Sequence, residues 1–576
     1  IDDITDSKEI KNIVSNMPTE ILADELPISV DNPTEDPNMH VVNVRIDAPE
    51  RCTDDFSAFI TSAYNPELVS AIKNIRSSAR AFNPDTKIWE VEYSEFTKLK
   101  SQLETSDKYT YIFKITGEDK IPEVVQISDL SIFKTAPMQH QISGVQFGLD
   151  HRRFLLGDEQ GLGKSKEVID LAVIRKNTFG FKHCLIICGV NSLKWNWVEE
   201  IEKHSNETGW ILGQRMMPRR KRLTVKGNAE KLADLSALGT GSEIDNAYFL
   251  ITNIESIRNA AISDKLTELC NNGEISMVAI DEAHRVRNLN TQTGQNVLKI
   301  QPEYRVAMTG TPLINTPLDL YALLKWLGYQ RYEFKQFKYH FCQFNDWGEI
   351  VGYKNIDQLT DQLSAIMLRR KKEDVLDLPD KVYINDYVEL TPEQKKLYNQ
   401  VIDDAIEDSE LADKISTDCL LALKTRLRQI SGGIAPFDFI KTNPKLDRLE
   451  QLVEEAVYSG IKVIVYSNWV QGINPAVKRL QKYNPVVITG ETKDSDRQLL
   501  VNRFQNDPSV KVIFGTVGAM GTGLTLSAAN EVIFLDEPWT NAAKEQAIDR
   551  CHRIGTTSSV TIHTIMSHST YDEEVH

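Results

Sequence analysis

The chain has 576 residues, of which 41% are hydrophobic and 26% are charged. This length predicts several domains rather than one core, and the composition excludes collagen-like, coiled-coil and wholly disordered proteins. The net charge of −16 excludes binding to a polyanion by overall attraction, so any nucleic-acid site has to be local.

The first 40 residues are strongly acidic, with only Lys8 and Lys11 as basic residues. We expect residues 1–40 to form an acidic tail that offers a docking segment for a protein partner. No apolar run approaches the roughly 20 residues that a membrane-spanning helix needs, the acidic start does not resemble a signal peptide, and the cysteines lack zinc-binding spacing. We therefore expect a cytoplasmic protein without membrane contact. Compactness and the lack of long basic tails or chromatin-reading modules favour a bacterial or viral source, whereas a eukaryotic protein would be nuclear. We also expect a monomer.

The remainder of the chain divides into four predicted segments. Residues 41–134 are predicted to form an α+β accessory domain, in which Trp89 and Phe96 would fill a small core. From Phe154 onward, β-branched runs alternate with amphipathic stretches, which is typical of parallel βαβ units. Two such series predict an α/β fold with two sheets, in residues 135–328 and 381–576, joined by a helical connector in residues 329–380.

A strand followed by a glycine-containing loop and a helix predicts a phosphate-binding loop. Its backbone N–H groups and helix N-terminus would bind an anion, with Lys164 on the terminal phosphates and Ser165 on Mg²⁺. The strict pattern fails at its first glycine, where Asp158 stands. The residues assigned to binding of the nucleotide are Asp158, Glu159, Gln160, Gly161, Leu162, Gly163, Lys164 and Ser165. Upstream, Gln141 has an amide suited to the edge of adenine, although a surface glutamine is the simpler interpretation.

Two carboxylates follow the apolar run Met277 to Ile280. At the carboxyl end of a buried strand, Asp281 would hold Mg²⁺ and Glu282 would activate the water that attacks the γ-phosphate of ATP. The alternative is an acidic helix cap. Four further residues would couple nucleotide state to the rest of the protein: His284, Thr309, Gly310 and Thr311.

The second series contains a cationic motif, with Arg550 and Arg553 three residues apart on one predicted helix face. Together with Gln546, they would complete the catalytic set by meeting charge on the transferred phosphoryl group when the two halves close. Arginines in surface salt bridges are the alternative interpretation.

The order of the motifs resembles the superfamily-two helicases, and specifically the Swi/Snf-related ATPases that move along double-stranded DNA. The resemblance covers about residues 135 to 575 and rests on the strings DEQGLGKS (158–165), DEAHRVRN (281–288), TGTPLIN (309–315), LRRKKED (368–374), GTGLTLSAA (521–529) and DRCHRIG (549–555). The annealing-helicase branch is the most similar, and residues 75 to 103 resemble its HARP module. The resemblance implies two RecA-like lobes, use of ATP and Mg²⁺, and a brace at residues 369–372.

The same resemblance implies that duplex or branched DNA lies across both lobes without strong sequence preference. The implied DNA contacts are Asn191, Ser192, Thr252, Asn253, Arg285, Arg287, Ser467, Asn468, Thr516 and Trp539. The sequence thus predicts an ATP-hydrolysing DNA translocase that remodels or reanneals branched DNA in replication, recombination or repair. A nucleotide-gated clamp that displaces or recruits proteins, and a motor subunit of a restriction-type complex, are the alternatives.

Overall fold

The structure is a computed structural model. It describes residues 38–47, 56–76, 79–117, 127, 129–191, 193–217, 222–311, 316–330, 332–411, 417–433, 443–520, 524–553, 556 and 558–575. Ser192 and nearly all of the expected acidic tail therefore lie outside the described residues. Within these ranges, no helix combines the length and apolar character needed to cross a membrane.

The N-terminal part of the described chain is a mixed five-stranded sheet in the order β3-β4-β2-β1-β5. Its strands β1–β5 are Met39–Asp47, Ser57–Ser62, Arg80–Asn83, Ile88–Glu92 and Thr110–Thr116. Helices α1 (Pro66–Asn74) and α2 (Tyr93–Glu104) bury Leu68, Ile72 and Phe96 against it. Asn65 begins α1 by accepting a hydrogen bond from the N–H of Leu68 at 2.9 Å. This unit has the α+β character expected for the accessory region.

A seven-stranded sheet in the order β16-β6-β13-β12-β7-β11-β8 forms the first lobe. All of its strand pairs are parallel. Its strands are β6 (Arg153–Leu156), β7 (His183–Cys188), β8 (Gly209–Ile211), β11 (Phe249–Asn253), β12 (Ile275–Ile280), β13 (Tyr304–Met308) and β16 (Met367–Leu368). Two antiparallel hairpins stand beside this sheet, β9 (Gln214–Met217) with β10 (Arg222–Val225) and β14 (Cys342–Phe344) with β15 (Ile350–Tyr353).

Helices cover the first sheet on both faces, where two apolar clusters pack. They are α3 (Gln139–Asp150), α4 (Lys164–Phe179), α5 (Leu193–His204), α6 (Asn228–Ala237), α7 (Ile254–Ile257), α8 (Ala260–Asn271), α9 (Gln292–Val297) and α10 (Leu320–Leu327). The central strands are apolar throughout because both of their faces are buried. Because helices cover both faces of the sheet, the polar side chains of its central strands can reach solvent only at the strand ends.

The connector runs through α11 (Phe334–Phe341), α12 (Ile356–Ile366) and α13 (Lys372–Val375). Between α12 and α13, the short strand β16 returns to the edge of the first sheet, where Leu368 pairs with Leu156 of β6. The connector is therefore partly integrated into the first lobe, next to the phosphate-binding loop.

A six-stranded parallel sheet in the order β17-β22-β21-β18-β20-β19 forms the second lobe. Its strands β17–β22 are Lys381–Val388, Lys462–Ser467, Val486–Ile488, Val512–Thr516, Ala529–Phe534 and Val560–Ser567. Its helices α14–α21 are Pro392–Leu411, Thr417–Gly432, Pro444–Tyr458, Val470–Arg479, Asp494–Asn506, Val517–Met520, Asn541–Ile548 and Tyr571–Val575. The chain thus has the predicted α/β fold, with two RecA-like parallel-sheet lobes.

Candidate nucleotide site between the two lobes

The phosphate-binding loop joins β6 to α4. Gly161 and Gly163 have φ angles of 87° and 86°, in the left-handed region that glycine adopts without strain. Helix α4 begins at Lys164, so its free N–H groups and its dipole face the loop. The local sequence therefore forms the predicted strand, glycine-containing loop and helix, and anion binding by this loop stays a prediction.

Lys164 lies inside this loop. Its Nζ donates to the backbone carbonyl of Asp158 at 2.7 Å and to that of Glu159 at 3.1 Å. Burial lowers the pKa of Lys164, while the negative charges of Glu282, Asp158 and Asp281 oppose that effect. Lys164 is thus held inside the loop by two backbone carbonyls and lies near these three carboxylates.

Arg370 of the connector holds the phosphate-binding loop through two acidic residues. The Arg370 guanidinium donates to both carboxylate oxygens of Asp158 and to both of Glu167, the latter at 2.8 and 2.9 Å. The two carboxylate side chains are 0% and 2% exposed, and burial raises the pKa of Glu167 to about 8 despite this arginine. Asp158, the residue that breaks the glycine pattern, therefore has a structural partner outside the loop.

The acidic pair follows β12 at the same edge of the sheet. Asp281 accepts a hydrogen bond from Trp197 Nε1 at 3.0 Å, and burial, followed by the charge of Glu282, raises its pKa to about 6. Glu282 has a φ of 51°, an uncommon value for a residue other than glycine. Its Oε2 is buried without a hydrogen-bond partner in the described structure. The Glu282 carboxylate is therefore suited to accept a proton or to orient water.

Gly189 makes room for this backbone conformation. A β-carbon added to Gly189 would lie 2.7 Å from Cβ of Glu282 and 2.9 Å from the carbonyl oxygen of Asp281. These distances are too short for any side chain, so the loop after β7 requires glycine for the close approach.

The four predicted coupling residues lie beside the acidic pair. His284 Nδ1 lies 3.0 Å from Thr309 Oγ1, which also accepts a hydrogen bond from the N–H of Thr311 at 3.1 Å. Burial and then the positive charges of Arg285 and Arg287 lower the pKa of His284 to about 4, so this histidine is neutral at pH 7. Gly310 packs against the phosphate-binding loop, where an added β-carbon would lie 2.7 Å from Cγ of Gln160.

The second lobe reaches this site through α20 and the residues that follow it. Gln546 Nε2 donates to Glu282 Oε1 at 3.4 Å, and Arg550 Nη2 donates to Gln160 Oε1. Arg553 lies against Gly161, but its Nη1 donates to Thr525 of its own lobe at 2.6 Å. The structure thus brings Gln546 and Arg550 to the phosphate-binding side, and assigns Arg553 a contact within the second lobe.

Lys372 of the connector joins the two halves. Its backbone N–H donates to Glu159 Oε2 at 2.9 Å, and its Nζ donates to Asp549 Oδ1 at 2.6 Å and to the carbonyl oxygen of His552 at 2.8 Å. The side chain is buried, and burial lowers its pKa. One residue therefore contacts both the phosphate-binding loop and the arginine segment.

The Gln141 side chain has hydrogen-bond partners inside the protein. It is 4% exposed, its Oε1 accepts from the N–H of Met138 at 3.0 Å, and its Nε2 donates to the carbonyl oxygen of Leu162 at 3.3 Å. Both ends of the amide are thus used inside the protein, where they connect α3 to the phosphate-binding loop. Reading of a base by Gln141 stays a prediction.

The expected DNA contacts fall into two groups. Thr252, Asn253 and Ser467 are 1%, 5% and 0% exposed; Asn253 bonds to Ser256 and Ser467 bonds to Asp536. Side-chain contact with DNA at these three positions does not fit this arrangement, because the side chains are buried. The more accessible members follow strand ends of the two lobes: Asn191, Arg285, Arg287, Asn468, Thr516 and Trp539.

Trp197 is the functional candidate that the sequence did not indicate. Its indole N–H orients Asp281 across 84 positions of the chain, and no local motif marks such a distant pair. Arg370 and Lys372 carried a signal, since both lie in the basic run predicted to brace the lobes, but their individual partners did not.

The loop, the acidic pair and the opposed arginine define a P-loop nucleotide hydrolase with two RecA-like lobes. Sequence models of the SNF2-related domain and of the helicase conserved C-terminal domain match residues 138–432 and 444–555. The first match covers more than half of the chain, which therefore belongs to the SNF2-related family of helicase-like ATPases.

Several known proteins and a solved structure are similar to this chain. An uncharacterized ATP-dependent helicase of Mycoplasma genitalium is 27% identical over 82% of this chain and 45% of its own length. The human DNA annealing helicase and endonuclease ZRANB3 is 29% identical over 75% of this chain and 38% of its own length, so the chain spans less than half of these relatives. A Sulfolobus solfataricus SWI2/SNF2 ATPase core solved with dsDNA is 24% identical, with a TM-score of 0.37, over 78% of this chain and 92% of that one.

Proposed function

We propose that this protein is an ATP-dependent translocase on double-stranded DNA that remodels or reanneals branched DNA. One observation carries the proposal: Gln546 and Arg550 of the second lobe contact Glu282 and Gln160 of the first. Groups needed for hydrolysis thus come from two bodies whose relative motion can be coupled to DNA.

The chemistry follows from these positions. Lys164 would bind the terminal phosphates, Glu282 would orient and deprotonate the attacking water, and Arg550 would stabilise charge on the γ-phosphoryl group. Ser165 and Asp281 supply the hard oxygen ligands that suit Mg²⁺. The nearby buried Glu282 Oε2 lies 3.4 Å from His284 Nδ1 and has no hydrogen-bond partner among the described residues, which fits a site that receives a further group. When bound, Mg²⁺ would neutralise phosphate charge.

The base of the nucleotide has a candidate pocket. A cavity of about 450 Å³ lies between the start of α3 and the connector. Its lining residues are Met138, Gln139, His140, Val375, Leu376, Asp377, Leu378 and Thr556. The cavity is next to the start of α3, where Gln141 is hydrogen-bonded to the phosphate-binding loop. We therefore place the adenine in this cavity. The connector residues that line it lie outside the motifs predicted from the sequence.

DNA would lie across the carboxyl ends of the strands of both sheets. Asn191 follows β7, Arg285 and Arg287 follow β12, Thr516 ends β20, and Trp539 follows β21 with 43% of its surface exposed. Contacts of this kind to phosphates predict binding with little sequence preference and with strong salt dependence. The choice of branched DNA is supported by the similarity to ZRANB3, a DNA annealing helicase, and by the HARP-like strings of the accessory region, which we propose as a separate domain.

The test measures ATP hydrolysis with and without duplex DNA, and displacement of a third strand from a triplex. We expect duplex DNA to stimulate hydrolysis, and Lys164→Ala and Glu282→Gln to abolish displacement, whereas Glu268→Gln, at an exposed glutamate of α8, leaves both activities intact. Stimulation by single-stranded RNA alone would contradict the assignment of duplex DNA. Full remodelling activity in Glu282→Gln would favour a nucleotide-gated clamp instead.

A further inference from the structure

Gln160 is a loop residue that the proposed chemistry does not use. Its side chain is supported by the first lobe, since Gly310 approaches its Cγ so closely that an added β-carbon would lie 2.7 Å away. The side-chain oxygen Oε1 of Gln160 accepts a hydrogen bond from Arg550 Nη2 of the second lobe. Gln160 thus presents a fixed acceptor to the arginine of the opposite lobe.

Arg550 has a second restraint. Its Nε donates to the backbone carbonyl of Gln546 at 3.0 Å, and the residue is 9% exposed. The guanidinium is therefore aimed at the phosphate-binding loop, where a neutral amide oxygen occupies a donor that a phosphoryl oxygen would otherwise bind. In the bond to Gln160 only the arginine is charged, whereas with a phosphoryl oxygen both partners are charged and attract each other more strongly, so a triphosphate can displace the amide.

We propose that Gln160 is a positioning residue that holds Arg550 through its side-chain carbonyl until the γ-phosphate of a nucleoside triphosphate replaces it. Gln160 is then an internal competitor for the arginine and sets how strongly the site favours a triphosphate over a diphosphate. This inference rests on the proposed ATP hydrolysis and extends it to the choice between substrate and product.

The direction of the effect follows from linkage. An interaction that exists in the nucleotide-free protein and is lost on binding weakens that binding by its own net free energy. A typical hydrogen bond in a protein changes an equilibrium constant by about threefold to tenfold. ADP lacks the γ-phosphate and has no need of Arg550, so its affinity reports damage to the loop alone.

The experiment compares Mg²⁺-dependent affinities for ADP and for the non-hydrolysable analogue adenylyl imidodiphosphate by calorimetry without DNA. In Gln160→Met, which keeps the length of the side chain but removes the carbonyl, the preference for the triphosphate should rise by about threefold to tenfold. In Gln160→Glu, whose carboxylate holds the arginine more strongly, the preference should fall. Gln358→Met, at an exposed glutamine of α12, is the matched control.

A double-mutant cycle separates positioning from general loop effects. In an Arg550→Ala background, Gln160→Met should leave the preference unchanged, because no arginine remains to be held. An unchanged or lower preference in Gln160→Met alone, or an equal rise in the Arg550→Ala background, would overturn the inference. If the wild-type chain binds neither nucleotide, the proposed function fails; if it binds and hydrolyses ATP but Gln160→Met shows no change in preference, only this inference fails.

Discussion

Lys164 and Arg550 both lie at the phosphate-binding loop, and they are held by different kinds of contact. Lys164 is fixed by its own loop, which Arg370 anchors through Asp158 and Glu167. Arg550 is held by Gln546 of its own lobe and, across the lobes, by Gln160. Lys164 is therefore held within the first lobe, whereas the position of Arg550 relative to Lys164 depends on how the lobes are placed.

The largest expected effect separates the two arginines of the second lobe. Arg550→Ala should lower kcat by about 10³-fold, because an arginine that stabilises phosphoryl transfer contributes at least that much. Arg553→Ala should lower kcat less, since the Arg553 guanidinium donates to Thr525 within its own lobe. Steady-state hydrolysis at saturating ATP checks this order, and a larger loss in Arg553→Ala would reverse the assignment.

The anchor of the first lobe can be removed separately. Arg370→Ala would leave the buried carboxylate of Asp158 without its cation and remove the donor to Glu167, and breaking a buried ion pair typically costs about 3–5 kcal/mol. Hydrogen exchange of residues 157–167 should report a loss of that size in local stability. The neighbouring exposed Arg369 is the control, and Arg369→Ala should change stability by less than about 0.5 kcal/mol. Equal protection in both variants would show that Arg370 is not the anchor.

A glycine tests the alignment of the acidic pair. Gly189→Ala would push against Glu282 and Asp281, and we expect kcat to fall by about tenfold to a hundredfold, as for a displacement of about 1 Å at a reacting group. Gly490→Ala is the control, because a β-carbon added to Gly490 meets no atom within 4 Å. The check is to measure the ATP hydrolysis rates of both variants at a temperature at which both remain folded. Equal rates would contradict the expectation.

The smallest effect concerns the acid sensitivity of the second lobe. His563 and Arg448 donate to Asp386 at 2.7 and 2.8 Å and, although burial acts in the opposite direction, they lower its pKa. A carboxylate with a lowered pKa stabilises the fold above its unfolded pKa of about 3.9 and loses that contribution as the pH falls.

Asp386→Asn should therefore reduce the free energy of unfolding by about 1–2 kcal/mol at pH 7, and the difference from the wild type should shrink below about pH 4. Urea unfolding across this pH range measures it, with Asp264→Asn, at an exposed ion pair, as the control. A difference that grows toward low pH would contradict the sign.

The two parallel sheets and most of their strands could be predicted from the sequence. The runs at 184–188, 277–280 and 463–466 lie within β7, β12 and β18, because strands buried on both faces are apolar throughout. Strands β8 and β16 escaped this pattern because they are only three and two residues long, and β17 because it is mostly exposed.

Within the site, local patterns identified residues adjacent in the chain, such as Asp281 and Glu282. They could not identify partners far apart in the chain, such as Trp197 for Asp281 or Arg370 for Asp158. The sequence also did not indicate which polar residues are buried. Thr252 and Ser467 were predicted to be accessible at strand ends, but both side chains are buried. Contacts of this kind depend on the packing of whole elements, which a linear motif does not contain.

The central claim is that translocation on DNA requires relative motion of the two lobes. Cross-linking the lobes tests this claim most directly. Glu199 and Gln498 lie on opposite lobes, with a hydrogen bond of 3.3 Å between their side chains, and neither takes part in the chemistry. A Glu199→Cys, Gln498→Cys double variant treated with a short bis-maleimide should retain nucleotide binding but lose triplex displacement, whereas each single-cysteine variant treated in the same way should remain active. Continued displacement by the fully cross-linked protein would contradict the account.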